Sequence, residues 1–281
     1  MNYTGNLQKM AVSLADTSQV NYTLILGAEA IPLNQYIGQN IQLRYTGKIN
    51  CVYCGNLIKK GYQQGYCFPC TKKLAQCDFC ILKPELCHYH KGTCREPEWG
   101  KTHCMQPHIV YLANTSGIKV GITRESQIPT RWLDQGAIQA LPIIRVQTRY
   151  QSGLLEQEFS KLIADKTNWR KMLQPNIEKV DLQQQRNDLL PELASKIQKI
   201  AGQFSLGDIE LLTAEDVVTI DYPVQHYPNK LTSLNFDKNP VINSQLNGIK
   251  GQYLIFVDGV INIRSFSGYE VEFSSEPQAN S

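Results

Sequence analysis

All nine cysteines and four of the five histidines of this 281-residue chain fall between Cys51 and His108, at spacings that suit metal ligation. Cys51-x2-Cys54 and Cys67-x2-Cys70 form two knuckles separated by twelve residues. A knuckle turns both thiolates to one side of a tight turn, and two knuckles complete the tetrahedral four-sulfur shell that suits Zn²⁺. A redox dithiol would need one such pair and not two. The run continues as Cys77-x2-Cys80-x6-Cys87-His88-Tyr89-His90-x3-Cys94-x8-His103-Cys104-x3-His108. It predicts a second zinc on Cys77 and Cys80, with the remaining ligands open among Cys87, His90, Cys94, His103 and Cys104. Thiolates are preferred, Cys87 and Cys94 first, and His88 and His108 are set aside. The expectation is therefore about two structural zincs per chain, with an iron–sulfur cluster as the competing metal. Lys59, Lys60, Lys72, Lys73, Tyr53, Tyr62, Tyr66 and Phe68 surround the first knuckles and offer cations and stacking rings to nucleic acid. Ions that hold together a core too small to hold itself would account for the cysteines equally well.

A second group of chemically competent residues lies downstream, in a segment free of cysteine. Ile109-Val110-Tyr111-Leu112-Ala113 reads as an apolar strand, Asn114-Thr115-Ser116-Gly117 as a turn and Ile118-Lys119-Val120-Gly121-Ile122-Thr123 as the return strand of a hairpin. A helix with Arg131 and Trp132, ending near Gly136, follows. Next come the strand Ile143-Ile144-Arg145-Val146-Gln147-Thr148 and a helix opening at Ser152 that carries Glu156. The order is β-β-α-β-α. Tyr111, Lys119-Val120-Gly121-Ile122-Thr123, Arg131, Glu156 and Trp169 together resemble the GIY-YIG nuclease superfamily, in particular the phage-type variants whose second motif reads Lys-Ile/Val-Gly-x-Thr. The resemblance covers residues 109–172. It implies that Tyr111 helps activate the attacking water, Arg131 stabilises charge on the scissile phosphate and Glu156 holds one Mg²⁺ or Mn²⁺ ion. Phosphodiester cleavage needs these three roles. Lys119, Arg124, Arg131 and Arg145 are the expected nucleic-acid contacts. The chain departs from the pattern at Val120, read as standing for the second-motif tyrosine, and at Ser160, where a histidine is often found. Glu158 lies two residues beyond Glu156 and faces elsewhere on a helix. The enzyme reading requires Tyr111, Arg131 and Glu156 to line one open basic groove. On a purely structural reading, Tyr111 and Val120 are strand core and Arg131 and Glu156 a surface pair. The layout of the whole chain also resembles an uncharacterised bacterial domain-of-unknown-function family, which implies a prokaryotic cytosolic protein.

The elements that must position these groups can be read around them. Leu24-Ile25-Leu26 and Ile41-Gln42-Leu43-Arg44-Tyr45 read as strands before the cysteines. Gly251 to Val257, Val260 to Arg264 and Tyr269 to Phe273 read as hairpin strands at the far end, with Asp258-Gly259 as a turn. Neither end is long enough to close a barrel alone. The expected fold is α+β, with the two ends pairing into a β-barrel-like body from which the zinc segment and a small α/β domain project. The divisions read as 1–50, 51–108, 109–175 and 176–281. Leu182 to Phe204 has helical spacing and is read as scaffold.

The formal net charge of +3 is unevenly spread. Residues 51–171 carry 17 basic and 9 acidic side chains, whereas residues 172–281 carry 8 and 14. A basic middle attracts polyanions. No stretch approaches the roughly 18 apolar residues of a spanning helix, and the start MNYTGNLQKM lacks a signal layout, so a cytoplasmic location without membrane contact is expected. No small-molecule cofactor is evident. Three functions fit: a zinc-stabilised, metal-dependent nuclease acting on DNA or RNA, which is favoured; a catalytically silent nucleic-acid-binding module; and an interaction scaffold whose acidic C-terminal part meets a basic partner.

Overall fold

The computed structural model describes residues 2–205, 207–228 and 230–275. The fold is α+β, and the chain divides into two compact units. One comprises the chain up to Lys72 together with the part from Asp221 onward; the other is Lys73–Ile220.

In the first unit the two ends of the chain share one antiparallel sheet. Among the described residues its strand order is Asn2–Asn6, Tyr269–Ser275, Asn40–Asn50, Val241–Lys250, Tyr253–Phe256 and Val260–Asn262, with Leu57–Ile58 added on Asn40–Asn50. Strand alternation buries Ile41 and Leu43 on one strand and Val271 and Phe273 on its neighbour, so both ends contribute to the same core. The order runs open from first strand to last, so the expected barrel-like body is an open sheet. A separate three-stranded sheet, Ala11–Leu14, Val20–Leu26 and Glu29–Pro32, belongs to the same unit. The return strand after the Asp258-Gly259 turn ends at Asn262, where its side chain accepts from the N–H of Arg264 and starts a 3₁₀ turn over Ile263–Phe266.

The second unit is built on an antiparallel sheet ordered Ile209–Leu211, Gln139–Val146, His108–Asn114 and Ile118–Arg124, with Val218–Thr219 also on Gln139–Val146. His108–Asn114 is paired on both edges and buried at every position. Val110, Leu112, Val120 and Ile122 point to one face. There they meet Leu155 and Phe159 of the helix Arg149–Phe159, and Leu189, Leu193, Ile197 and Ile200 of the helix Leu182–Ala201. The second helix is the scaffold its spacing predicts. The cysteine segment expected as 51–108 is divided: Cys51 to Cys70 fold with the terminal sheet, and Cys77 to Cys104 with the second unit. The helix Leu182–Ala201 and the two short strands after it also fold into the second unit.

Thr148 caps the helix Arg149–Phe159. Its hydroxyl accepts from the N–H of Gln151, and the Gln151 side chain accepts from the N–H of Thr148. At Gly153 the helix passes so close to the 3₁₀ turn Pro84–Leu86 that a Cβ would lie 2.5 Å from the Glu85 nitrogen and from the Pro84 Cβ. Neither atom can swing away. Gly153→Ala is expected to destabilise the protein by about 1–3 kcal/mol, the usual cost of overpacking, measured as a lower denaturant midpoint. Gly202→Ala, where the nearest atom is 3.5 Å away, is the control and should leave the midpoint unchanged.

Candidate active site and metal-binding groups

The downstream residues singled out from the sequence converge inside the second unit. In the hairpin register Tyr111 lies opposite Gly121 and Ala113 opposite Lys119, so these four share the sheet face opposite the Val110 and Val120 core. Val120, read as standing for the family tyrosine, points into that core and is fully buried. Lys119 is the motif residue that shares the tyrosine's face, because side chains alternate along a strand. Gly121 makes room for the tyrosine: a Cβ there would lie 2.6 Å from the Tyr111 hydroxyl. That hydroxyl donates to Gln135 Oε1 at 3.2 Å, and the ring meets Trp132 edge-on at 6.0 Å. Burial pushes the Tyr111 phenol up to about 12, with Arg131 acting against it and Glu156 with it. The hydroxyl is therefore protonated near neutrality.

Lys119 is 5% exposed. Its ammonium is lowered to about 8, chiefly by burial and then by the Arg131 charge, with Glu156 and Asp165 opposing. Glu156 is half-buried, and its carboxyl is pushed up to about 7, again mainly by burial. Lys119, Arg149 and Arg131 pull it back down, while Asp165 adds to the rise. Arg131 and Glu156 thus act on the protonation of both Tyr111 and Lys119, and Lys119 and Arg131 on that of Glu156, although the four are spread over 46 positions of sequence. Arg131, on the short helix Thr130–Asp134, is half-buried. The expected open groove does not reach Tyr111, which is fully buried; Arg131 and Glu156 are the members with partial access to solvent.

The other two expected phosphate contacts lie on neighbouring elements. Arg145 grips Glu125 with two hydrogen bonds, at 2.9 and 3.2 Å, so its charge is already matched. Arg124 ends its strand half-buried. Arg149 and Asp165, which act on Glu156, and Gln135, which accepts from Tyr111, escaped the sequence reading. Arg149 is simply the first residue after the Thr148 cap, and no motif marks it. The basic stretch is also neutralised by folding: the unit Lys73–Ile220 carries 18 basic and 17 acidic side chains.

In the first unit the sulfurs of Cys51, Cys54, Cys67 and Cys70 all lie within 4.8 Å of one another, an arrangement that can hold zinc. Cys54 Sγ is 3.8 Å from Cys67 Sγ, and the Cys67 N–H donates to Cys51 Sγ at 3.2 Å. Burial raises the Cys51 thiol, but N–H donors of Cys54, Cys67 and Tyr53 outweigh it and bring the thiol down to about 6. Gly55, with φ of +72°, closes the first knuckle. Tyr53, Tyr62 and Phe68 are exposed beside it, with Lys60 over Tyr62 and Lys72 over Phe68.

In the second unit the expected set of Cys77, Cys80, Cys87 and Cys94 is not assembled. Cys80, Cys87 and Cys94 line one cavity together with Cys104, and Cys77 is buried. Asp78, Cys80 and His88 also line it, with ligand atoms within 4.8 Å of one another, so this group too can hold a metal. His88, set aside on spacing, is therefore at the cavity. His108 is not: it is fully buried, its Nδ1 bonds the Gln106 carbonyl at 2.7 Å, and burial lowers its pKa to about 4. Among the described residues no helix is long and apolar enough to cross a membrane.

A sequence model of the protein family described as Protein of unknown function (DUF2797) matches residues 38–271. Comparison with curated proteins and with solved structures gives no match.

The contact between Gly121 and Tyr111 can be measured. Gly121→Ala is expected to destabilise the chain, and Tyr111→Phe, which removes the hydroxyl, to relieve part of that cost. A double-mutant cycle should show a coupling of about 0.5–3 kcal/mol; strict additivity would mean that the two residues do not meet.

Proposed function

This chain belongs to the DUF2797 family, whose function is unknown, and we propose from its own residues that it is a zinc-stabilised nuclease cleaving phosphodiester bonds in DNA or RNA. The observation that supports this reading is the linkage of Lys119 and Glu156, each acting on the protonation of the other, with Arg131 acting on both and on the buried Tyr111, in the sequence order of the GIY-YIG resemblance. Strongly shifted groups with a specific charge partner mark functional sites more often than ordinary surface pairs do.

Phosphodiester hydrolysis adds water to phosphorus, breaks the bond to the leaving oxygen and returns a proton to it. Arg131 would neutralise charge growing on the phosphate. Tyr111 keeps its proton and orients a partner through its hydroxyl. Lys119, whose ammonium burial lowers to about 8, takes the proton-transfer role. Glu156 supplies a hard oxygen donor. One carboxylate plus a substrate phosphate is a donor set that Mg²⁺ accepts while keeping several waters. When bound, Mg²⁺ or Mn²⁺ would supply Lewis-acid charge at the phosphate. In the first unit, zinc on Cys51, Cys54, Cys67 and Cys70 would stabilise the ribbon, whose exposed rings and lysines suit single-stranded nucleic acid.

The full burial of Tyr111 and its bond to Gln135 favour a second reading, a binding module without cleavage. Incubating the full chain with plasmid DNA and with structured RNA in Mg²⁺ or Mn²⁺ separates the two. The nuclease reading expects cutting that falls by about 10²-fold or more in Arg131→Ala and Glu156→Gln, with binding retained. Salt-dependent binding without any cutting would leave the module. Absence of binding to either polymer at low salt would sink both and favour the scaffold.

A further inference from the structure

We propose that the open face of the first cysteine ribbon is a docking surface for single-stranded nucleic acid, on which Tyr62 and Phe68 stack bases while Lys60 and Lys72 meet phosphates. The inference rests on reading this chain as a protein that acts on nucleic acid, and not on the cleavage chemistry given to Arg131 and Glu156.

The four side chains meet in series. Lys60 Nζ lies 5.8 Å from the centroid of the Tyr62 ring, Tyr62 meets Phe68 at 5.8 Å with the rings inclined by 62°, and Lys72 Nζ lies 5.4 Å from the Phe68 centroid. Two pieces of backbone supply them. Lys60 and Tyr62 belong to the loop between the knuckles, whereas Phe68 opens the short helix Phe68–Lys73 and Lys72 stands one turn later on the same side. The row of cation, ring, ring and cation is therefore made by the fold and not by a run of sequence.

Its rings are open to water. Phe68 is 56% exposed and Tyr62 42%, and Tyr53, inside the first knuckle, is 58% exposed. Among the described residues the other aromatic ring this open is Phe79, so the ribbon holds three of the four. Each exposed ring forgoes about 25 cal/mol per Å² of apolar surface that a stacked base would cover.

Charge decides what covers them. Residues 51–72 contain Lys59, Lys60 and Lys72 and no Asp or Glu. Elsewhere in the same unit Arg44 and Lys48 are matched by Glu272 and Glu270, but among the described residues neither Lys60 nor Lys72 forms an ion pair. Unmatched cations beside open rings suit a ligand that brings anions and flat apolar faces together. A single strand does so, because its bases are free to leave one another and stack on a side chain. In a duplex those faces are already covered.

The surface is also held in place before any ligand arrives. The N–H groups of Tyr62 and Tyr66 each donate to the other's carbonyl at 2.8 Å, and the Val52 N–H donates to the Gly65 carbonyl at 3.0 Å. Gly65 has φ of +110°, and a Cβ there would lie 2.5 Å from both the Ser267 carbonyl oxygen and Val52 Cγ1, so the loop rests directly on the terminal sheet's unit. Arg264 Nε donates to Gln64 Oε1 at 2.7 Å. A loop fixed in this way loses little further freedom on binding.

Fluorescence anisotropy of the full zinc-loaded chain with labelled oligo(dT) and oligo(U), without Mg²⁺ or Mn²⁺ so that nothing is cut, tests the surface. Tyr62→Ala and Phe68→Ala are each expected to weaken binding by about 5- to 100-fold, whereas Tyr62→Phe and Phe68→Tyr, which keep a ring, should bind like the wild type. Lys60→Ala/Lys72→Ala should reduce the slope of log Kd against log salt by about 1–2. Unchanged affinity in Tyr62→Ala/Phe68→Ala overturns the proposal. Equal wild-type affinity for duplex DNA, inorganic polyphosphate or polyglutamate also overturns it, the last in favour of an acidic protein partner. Because alanine at these positions could loosen the ribbon, a second measurement uses the wild type alone. Photo-crosslinking to thiouridine-substituted oligo(U) should place adducts on Tyr53, Tyr62 or Phe68, and adducts confined to Lys73–Ile220 overturn the proposal. Ring-dependent binding without any cutting would sink the nuclease and uphold the ribbon; cutting with ring-independent binding would do the reverse.

Discussion

Holding charge out of water is the constraint on which the Lys73–Ile220 unit depends. Lys119 is almost fully buried, and Arg149 keeps its Nε from solvent. Removing an ammonium or guanidinium from water costs several kcal/mol unless an opposite charge is close. Glu156 is the carboxylate that acts on both, and burial drives its own pKa upward until the cations check the rise near 7. The three groups cannot be considered singly: neutralising one leaves the others buried against less compensation. Arg149 and Glu156 stand about two turns apart on the same helix, so the position of that helix sets the electrostatics of the whole cluster.

Two glycines permit close contacts on the helix and within the hairpin. At Gly153 the backbone of the helix meets the backbone of the turn Pro84–Leu86, and at Gly121 the hairpin accepts the Tyr111 hydroxyl into its own surface. The apolar side of the sheet solves a simpler problem. Val110, Leu112, Val120 and Ile122 pack on Leu155 and Phe159 from the inner face of the same helix. One helix thus serves the dry core with one set of positions and the charged cluster with another.

The parts legible in the sequence were those fixed over short distances. The four cysteines of the first ribbon could be assigned because a two-residue knuckle leaves its thiolates little choice of direction. The hairpin around Tyr111, the helix Leu182–Ala201 and the pairing of the chain ends followed from alternation, period and length. The alternation of the second hairpin strand also held the information that Lys119, and not Val120, shares the tyrosine's face. The second cysteine group was different. Cys80, Cys87, Cys94 and Cys104 sit on short turns, an irregular stretch and a helix end, and only the tertiary path brings them to one cavity. Arg149 carried no local signal, because its importance comes from what it packs against. The division of the cysteine segment at Lys72 depends on which sheet each half joins, and that is equally a long-range property.

The same long-range folding changes what charge says about function. Read along the chain, residues 51–171 form a strongly basic block. Folding assigns part of that block to the terminal sheet and returns the acidic helix and strands of residues 178–216 to the second unit, whose 18 basic and 17 acidic groups nearly cancel. A near-neutral body exerts little attraction beyond a Debye length of about 10 Å. Recognition of a phosphate by this unit would then rest on a few cations held partly or wholly out of water, Arg131 and Lys119, with Glu156 contributing through a bound metal ion. Desolvation strengthens each of these interactions relative to water. The case for a phosphate site therefore lies in local geometry, in the cluster that Gly121, Gly153 and the Arg149–Phe159 helix hold together, rather than in the charge of the chain.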